Sequence, residues 1–141
     1  MIIKTDEDMR RLGEKIASRL TGGECIELLG DVGAGKTTFV QGLGRGLGAD
    51  DDVQSPSFTL SREYECRDDM RLVHYDFYRL HESGVMAYEL AESLGDSHTV
   101  TVVEWAETIQ AVLPDDRIVI SITTNPHDES RTVTMNKDVL A

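Results

Sequence analysis

A glycine-rich segment between a short apolar run and an amphipathic stretch constrains this chain more than any other feature. Residues 25–29 are mostly apolar and stop at Gly30, which suits a buried strand. Apolar side chains then recur at helical spacing from Phe39 to Leu47. Between the two, residues 30–37 read GDVGAGKT and match in full the pattern GxxxxGK followed by Ser or Thr. Strand, glycine-rich loop and helix in this order predict a phosphate-binding loop, and an ordinary glycine-rich turn is the weaker alternative.

The residue types in this loop have a physical explanation. Glycines let backbone N–H groups turn toward phosphate oxygens, where a side chain would collide. The helix that begins near Gly35 adds its positive N-terminal end. Lys36 is predicted to reach the β- and γ-phosphates, and the Thr37 hydroxyl is predicted to ligate Mg²⁺. The residues predicted to bind nucleotide in this segment are Gly30, Asp31, Val32, Gly33, Ala34, Gly35, Lys36, Thr37 and Thr38.

The rest of the chain alternates between helix and strand patterns. A Thr5 cap opens a first helix, which the Gly22–Gly23 pair ends. Strands interleaved with helices predict the α/β class, with a mostly parallel central sheet covered by helices on both faces. The turn at residues 66–69 adds an antiparallel hairpin. We predict a single P-loop NTPase-like domain over residues 1–141. Further strands are predicted at residues 58–65, 71–78, 100–103, 117–124 and 132–135, and further helices at residues 82–94 and 107–113.

Three glycines fall inside the helix that follows the loop. Gly42, Gly44 and Gly46 each weaken a helix by up to about 1 kcal/mol. We therefore expect either fraying at these positions or close packing against a neighbouring element.

The composition argues against several classes of protein. The chain has 14 basic and 26 acidic residues among 141, a formal net charge of −12, so it is not expected to bind nucleic acid alone. No apolar run approaches the ~20 residues that cross a bilayer, and the first residues lack a signal peptide's pattern. We expect a cytoplasmic protein with no membrane association. Cys25 and Cys66 are too few for a disulfide framework and are interpreted as buried, reduced thiols.

Magnesium beside a triphosphate needs further oxygen ligands, and two carboxylates are candidates. Glu104 ends the apolar run at residues 99–103 in the manner of a Walker B strand, although Glu replaces the usual Asp. Asp76 lies in the segment HYDFYRL at residues 74–80, where capping of the following turn is an equally good explanation.

Two other segments have the residue types of a nucleotide site. Residues 55–60 read SPSFTL and follow the predicted helix, where P-loop proteins place hydroxyls that sense the γ-phosphate or metal. A turn that starts a strand is the alternative. Trp105 follows Glu104, and either base stacking, partner docking or a partly buried core position suits an indole there.

A phosphate-binding loop does not by itself show which reaction the protein catalyses. The segment Asn136-Lys137-Asp138 lacks the spacing of a guanine-recognition NKxD motif, and the arginines are dispersed rather than clustered in a kinase-type lid. From the residues alone, three activities stay open: an ATPase, a small-molecule kinase, and a module that holds ATP without cleaving it.

These pieces together resemble the TsaE (YjeE-like) family of tRNA threonylcarbamoyladenosine biosynthesis ATPases. The resemblance rests on the loop at residues 30–38, SPSFTL at residues 55–60, HYDFYRL at residues 74–80 and VEW at residues 103–105. Ser57 stands where the family more often has Thr, and serine keeps the hydroxyl group. The C-terminal tail is less recognisable.

The resemblance implies a Mg²⁺-dependent ATPase that hydrolyses ATP when assembled with the TsaD and TsaB subunits and resets that complex between turnovers. The partners, rather than this chain, would hold the tRNA, whose ANN-reading members are modified. By position, Lys36, Asp76 and Glu104 are the catalytic residues, and Thr37, Glu104 and Asp76 serve the metal or the attacking water. Trp105 joins the nucleotide-binding residues. The switch loop contains Ser55, Ser57 and Thr59.

Overall fold

The architecture comes from a computed structural model, which describes residues 1–31, 33–50, 53, 60–78 and 84–140. Within these residues the α-helices are α1 (Asp6–Ala17), α2 (Lys36–Leu47) and α3 (Gly84–Leu94). Short 3₁₀ helices cover Arg67–Asp69 and Glu107–Val112. The strands are β1 (Ile2–Ile3), β2 (Cys25–Leu29), β3 (Ser61–Glu65), β4 (Arg71–Asp76), β5 (Thr99–Glu104), β6 (Ile118–Thr124) and β7 (Arg131–Met135).

The strands of the described residues form one sheet in the order β1-β7-β6-β2-β5-β4-β3. The four central strands β6, β2, β5 and β4 pair in parallel, and the flanking strands pair antiparallel. The predicted α/β class with a mostly parallel centre and an antiparallel β3–β4 hairpin is therefore confirmed. Because the central strands are parallel, the carboxyl ends of β2, β5 and β4 lie at the same edge of the sheet. The candidate site lies at this edge.

Several element boundaries differ from the sequence prediction. The first helix begins as predicted, with the Asp8 N–H donating to Thr5 Oγ1 at 3.0 Å, but it ends at Ala17, before Leu20. β4 ends at Asp76, and the last bond of its parallel pairing with β5 is donated by the Phe77 N–H to the Glu104 carbonyl oxygen at 3.0 Å. The helix predicted at residues 107–113 is a 3₁₀ helix with a kink at Ile109. β1 was not predicted, since two residues are too few to show an alternating pattern.

The core consists of two layers, one on each face of the sheet. On β5, Val100 and Val102 face the layer that contains α1 and α2, whereas Val103 faces the layer that contains Leu90 of α3. This alternation follows from the two-residue period of a strand, and it explains why a central strand that is buried on both faces reads as a continuous apolar run. Within the described residues, no helix combines the length and the apolar character that crossing a membrane requires.

The glycines of α2 allow α1 and α2 to approach closely. A Cβ added at Gly42 would lie 2.0 Å from the carbonyl oxygen of Arg10, and one at Gly46 would lie 2.5 Å from the Cβ of Ala17. α2 runs without interruption from Lys36 to Leu47. Of the two sequence expectations, close packing is confirmed and fraying is wrong.

Replacing Gly42 by alanine is therefore expected to destabilise the protein although alanine is the better helix former. The added methyl group meets backbone atoms, which cannot rotate away, so the two helices must separate. Overpacking typically costs about 1–3 kcal/mol, and a clash with backbone atoms places Gly42→Ala at the upper end of that range. Urea unfolding of Gly42→Ala measures it. Gly84→Ala, at the first residue of α3 with no atom near the added methyl group, is the matched control and should unfold as the wild type does.

Candidate functional site

The loop after β2 has a backbone that requires glycine. Gly30, Gly33 and Gly35 have φ angles of 155°, 83° and 102°, which side-chain-bearing residues rarely adopt. A Cβ at Gly30 would also lie 2.6 Å from the carbonyl oxygen of Ile122. Gly35 is the N-cap of α2, so the loop leads directly into the N–H groups of the first helical turn. This is the backbone arrangement that the motif predicts.

The loop borders a cavity of about 320 Å³ at the edge where β2, β4 and β5 end. The cavity is where most of the sequence-predicted site residues meet. Those that line it are Gly33, Gly35, Lys36, Thr37, Thr38, Asp76, Glu104 and Trp105.

The other predicted residues either shape the loop or cannot be placed. Gly30 supplies a carbonyl oxygen to Lys36, and the buried Ala34 closes a turn by donating its N–H to the Asp31 carbonyl oxygen at 3.0 Å. Asp31 itself is exposed. Val32, Ser55, Ser57 and Thr59 lie outside the described residues, so the predicted switch loop stays a prediction.

Lys36 is buried among groups that stabilise its positive charge. Its Nζ donates to the Gly30 carbonyl oxygen at 2.6 Å and lies 3.6 Å from Glu104 Oε1. The same Nζ lies 4.0 Å from the centroid of the Trp105 ring, a cation–π distance. A carbonyl dipole, a carboxylate and an aromatic face therefore compensate the buried ammonium charge.

Glu104 connects Lys36 to a buried histidine. Its Oε1 faces Lys36, and its Oε2 is hydrogen-bonded to Nε2 of His74, whose side chain is completely buried on β4. His74 Nδ1 has no hydrogen-bond partner among the described residues. A neutral imidazole with its proton on Nε2 fits both facts, because Nδ1 is then an acceptor rather than an unpaired donor. His74 was not among the residues predicted for the site, although it stands two residues before Asp76.

Asp76 and Glu104 occupy equivalent positions on neighbouring strands. They are paired in the parallel β4–β5 register, so both carboxylates leave the sheet at the same edge. Asp76 Oδ1 accepts a hydrogen bond from the Tyr78 N–H at 3.0 Å. The turn-capping explanation of Asp76 is thus correct, and it coexists with a position on the cavity wall.

Trp105 adopts a left-handed backbone conformation directly after Glu104. Its φ is 55°, uncommon for a bulky residue, and such strain tends to gather at functional sites. The indole also contacts the exposed Tyr78 ring edge to face at a centroid distance of 4.9 Å. Trp105 is therefore a half-buried residue of the cavity wall that lies against Lys36, outside the two core clusters.

Two residues that the sequence analysis missed complete the cavity wall. Arg131, the first residue of β7, donates through Nη2 to the Gly33 carbonyl oxygen at 3.2 Å and faces Asp6 Oδ1 from Nη1 at 3.5 Å. Ninety-eight residues separate Arg131 from Gly33. No local pattern marks either residue, since their proximity depends on the β1–β7 pairing.

The two cysteines do not line this cavity. Cys25 begins β2, at the end of the strand opposite to the loop, and both cysteines are free thiols. Burial raises the pKa of Cys25 to about 12 and also raises the pKa of Cys66. Both thiols are therefore protonated and unreactive at neutral pH. The interpretation as a buried thiol is confirmed for Cys25, whereas Cys66 is half-buried.

Comparison with known proteins decides the family. Residues 3–133 match the model of the family described as "Threonylcarbamoyl adenosine biosynthesis protein TsaE". The chain belongs to the TsaE family. The resemblance drawn from the sequence motifs is thus confirmed over nearly the whole chain.

Curated TsaE relatives and a solved structure support the same conclusion. The "tRNA threonylcarbamoyladenosine biosynthesis protein TsaE" of Streptomyces coelicolor is 43% identical over 118 residues, which cover 81% of this chain and 78% of the relative. The protein of that name from Haemophilus influenzae is 31% identical over 136 residues, covering 93% and 84%. The crystal structure of YdiB from Bacillus subtilis matches with a TM-score of 0.73 at 32% identity, covering 96% of this chain and 82% of YdiB. The TsaE homologues are thus proteins of tRNA threonylcarbamoyladenosine biosynthesis.

Proposed function

We propose that this protein is a Mg²⁺-dependent ATPase subunit of the tRNA threonylcarbamoyladenosine machinery, which acts with TsaD and TsaB and resets their complex between turnovers. The observation that carries the ATPase assignment is the convergence of Lys36, Thr37, Asp76 and Glu104 on one cavity beside the glycine loop. Family membership supports the pathway.

The donor groups at this cavity fit magnesium. One hydroxyl, on Thr37, and two carboxylates, on Asp76 and Glu104, are hard oxygen ligands of the kind that Mg²⁺ prefers. When bound with ATP, the ion would neutralise charge on the β- and γ-phosphate oxygens.

The other roles in the proposed reaction are assigned to side chains and backbone groups of this chain. Lys36 and the N–H groups at the start of α2 stabilise the charge that develops on the transferred phosphoryl group. Glu104 has its two oxygens engaged by Lys36 and His74, whereas among the described residues Asp76 has one oxygen engaged, by the Tyr78 N–H. We therefore assign the orientation of the attacking water to Asp76, which has a carboxylate oxygen outside these contacts. Metal binding is assigned to Thr37 and to the remaining lone pairs of the Glu104 carboxylate.

The isolated protein is expected to be a slow ATPase. Among the described residues Arg131 is the arginine that lines the cavity, and it lies on the flank of the loop opposite to β5 and β4, the strands that end at Glu104 and Asp76. An arginine supplied at the right place raises such rates by about 10³–10⁵. We assign such an arginine to a partner subunit. Because this chain has a net charge of −12, contact with tRNA is likewise assigned to the partners.

Phosphate release with and without purified TsaD and TsaB tests this proposal. We expect turnover of Mg²⁺-ATP to rise at least severalfold when both partners are present. Equal turnover in the two conditions would argue against a partner-stimulated ATPase. ATP binding without any phosphate release, even with partners, would favour a non-hydrolysing module, and a phosphorylated metabolite in place of free phosphate would favour a small-molecule kinase.

A further inference from the structure

The flank of the cavity opposite the carboxylates contains an arginine that the proposed reaction does not use. β2 and its loop lie at the centre of the sheet, with β5 and β4 on one side and β6 and β7 on the other. Arg131 begins β7 and pairs in register with Thr124, the last residue of β6. The loop is therefore bordered by Asp76 and Glu104 on one side and by a guanidinium on the other.

The guanidinium of Arg131 contacts the loop closely and keeps unused donors. Nη2 donates to the Gly33 carbonyl oxygen at 3.2 Å, whereas Nη1 and Asp6 Oδ1 are 3.5 Å apart, at the limit of a hydrogen bond. Nε is buried and has no partner among the described residues. Nε also lies 3.8 Å from the position that a Cβ on Gly35 would occupy, so the group sits beside the N-terminus of the 12-residue helix α2.

This arrangement concentrates positive charge. A helix N-terminus carries about half an elementary charge, and the adjacent guanidinium adds a full one. The carboxylate that faces Arg131 belongs to Asp6, whose side chain is 62% exposed and therefore interacts weakly. A planar guanidinium with free N–H groups suits bidentate contact with phosphate.

We infer that Arg131 binds the nucleotide's phosphates and that Asp6 competes with the nucleotide for this guanidinium. The inference rests on the proposed nucleotide site. Because the carboxylates mark the γ-phosphate side of the loop, Arg131 contacts the phosphates nearer the nucleoside. Nη2 keeps its contact with Gly33, and the remaining donors exchange Asp6 for a phosphate oxygen.

Titration calorimetry with ADP, on the full-length protein, tests both parts of the inference. We expect Arg131→Gln to weaken ADP binding about tenfold, and Arg131→Lys, which keeps the charge, to recover at least half of the loss on a logarithmic scale. Asp6→Asn should tighten binding about threefold, and this gain should vanish when Arg131 is already Gln. Arg11→Gln is the matched control, since it removes an exposed charge from the same helix as Asp6 and should bind ADP as the wild type does.

The dependence on salt separates phosphate contact from a purely structural role. If Arg131 contacts phosphate, Arg131→Gln should make the affinity for ADP less sensitive to NaCl between about 0.05 and 0.5 M. If the substitution only displaced the loop, this salt dependence would stay as in the wild type. Arg131→Gln that binds ADP within twofold of the wild type overturns the inference, as does an Asp6→Asn gain of equal size in both backgrounds. If Arg131→Gln does not fold, Arg131→Lys should still bind ADP measurably more weakly than the wild type and Asp6→Asn more tightly; wild-type affinity in both variants overturns the inference. No ADP binding by the wild type would overturn the proposed function as well.

Discussion

Lys36→Ala is expected to reduce partner-stimulated phosphate release by at least about 100-fold, the scale on which a single charge-stabilising donor acts in a preorganised site. The ammonium is the positive side-chain charge that lies between the loop and Glu104. Alanine leaves the backbone N–H groups of the loop in place but removes the group predicted to contact the β- and γ-phosphates. Release of phosphate with TsaD and TsaB present, and ATP affinity by calorimetry, measure the two effects.

The same substitution also tests the electrostatics of the free protein. Breaking a buried ion pair leaves its partner uncompensated and costs about 3–5 kcal/mol. Because Glu104 keeps its hydrogen bond to His74, the loss of stability on urea unfolding should lie at or below the lower end of that range. Lys15→Ala, at an exposed lysine of α1, is the matched control and should leave activity and stability unchanged. Full phosphate release by a folded Lys36→Ala protein would contradict the proposed site.

Glu104→Gln is expected to lower hydrolysis by about 100-fold while sparing nucleotide binding in the absence of Mg²⁺. Two donors, Lys36 Nζ and His74 Nε2, converge on the carboxylate, and an amide offers one oxygen where two are needed. The amide also removes a charged ligand from the proposed metal site. We therefore expect ADP affinity without Mg²⁺ to stay within threefold of the wild type, and the added affinity that Mg²⁺ confers on ATP to be lost.

Glu107→Gln is the matched control for this experiment. Glu107 stands three residues further along the chain and is exposed, so its amide should behave as the wild type in both assays. A Glu104→Gln protein that keeps the full Mg²⁺ effect on ATP binding would place the metal ligand elsewhere, with Asp76 as the next candidate.

The structural features predicted correctly from the sequence are those that are encoded within a short segment of the chain. The loop at residues 30–37 has a required order of glycines, lysine and threonine, and the strand and helix around it follow from local apolar periodicity. Glu104 could be named because it ends an apolar run in the manner of a Walker B strand, and Asp76 because it lies in the segment HYDFYRL. The family could be recognised for the same reason, since its motifs are also local. The structure adds that the two acids are paired on neighbouring parallel strands.

The features that were missed or left open depend on contacts between distant segments. Whether Gly42 frays α2 or allows close packing depends on Arg10 of another helix. The role of His74 depends on the parallel pairing of β4 with β5, and a histidine between apolar residues reads equally well as an ordinary buried side chain.

Local sequence thus specified the glycine loop, the order of helices and strands and the acids at the strand ends, because each of these is encoded within a few neighbouring residues. The three-dimensional packing specified which distant side chains reach that loop. Arg131 and Asp6 meet beside Gly33 because β7 pairs with β1 and β6 at the far side of the sheet. Such pairings arise from the burial of whole faces of the sheet, to which any single stretch of residues contributes a small part.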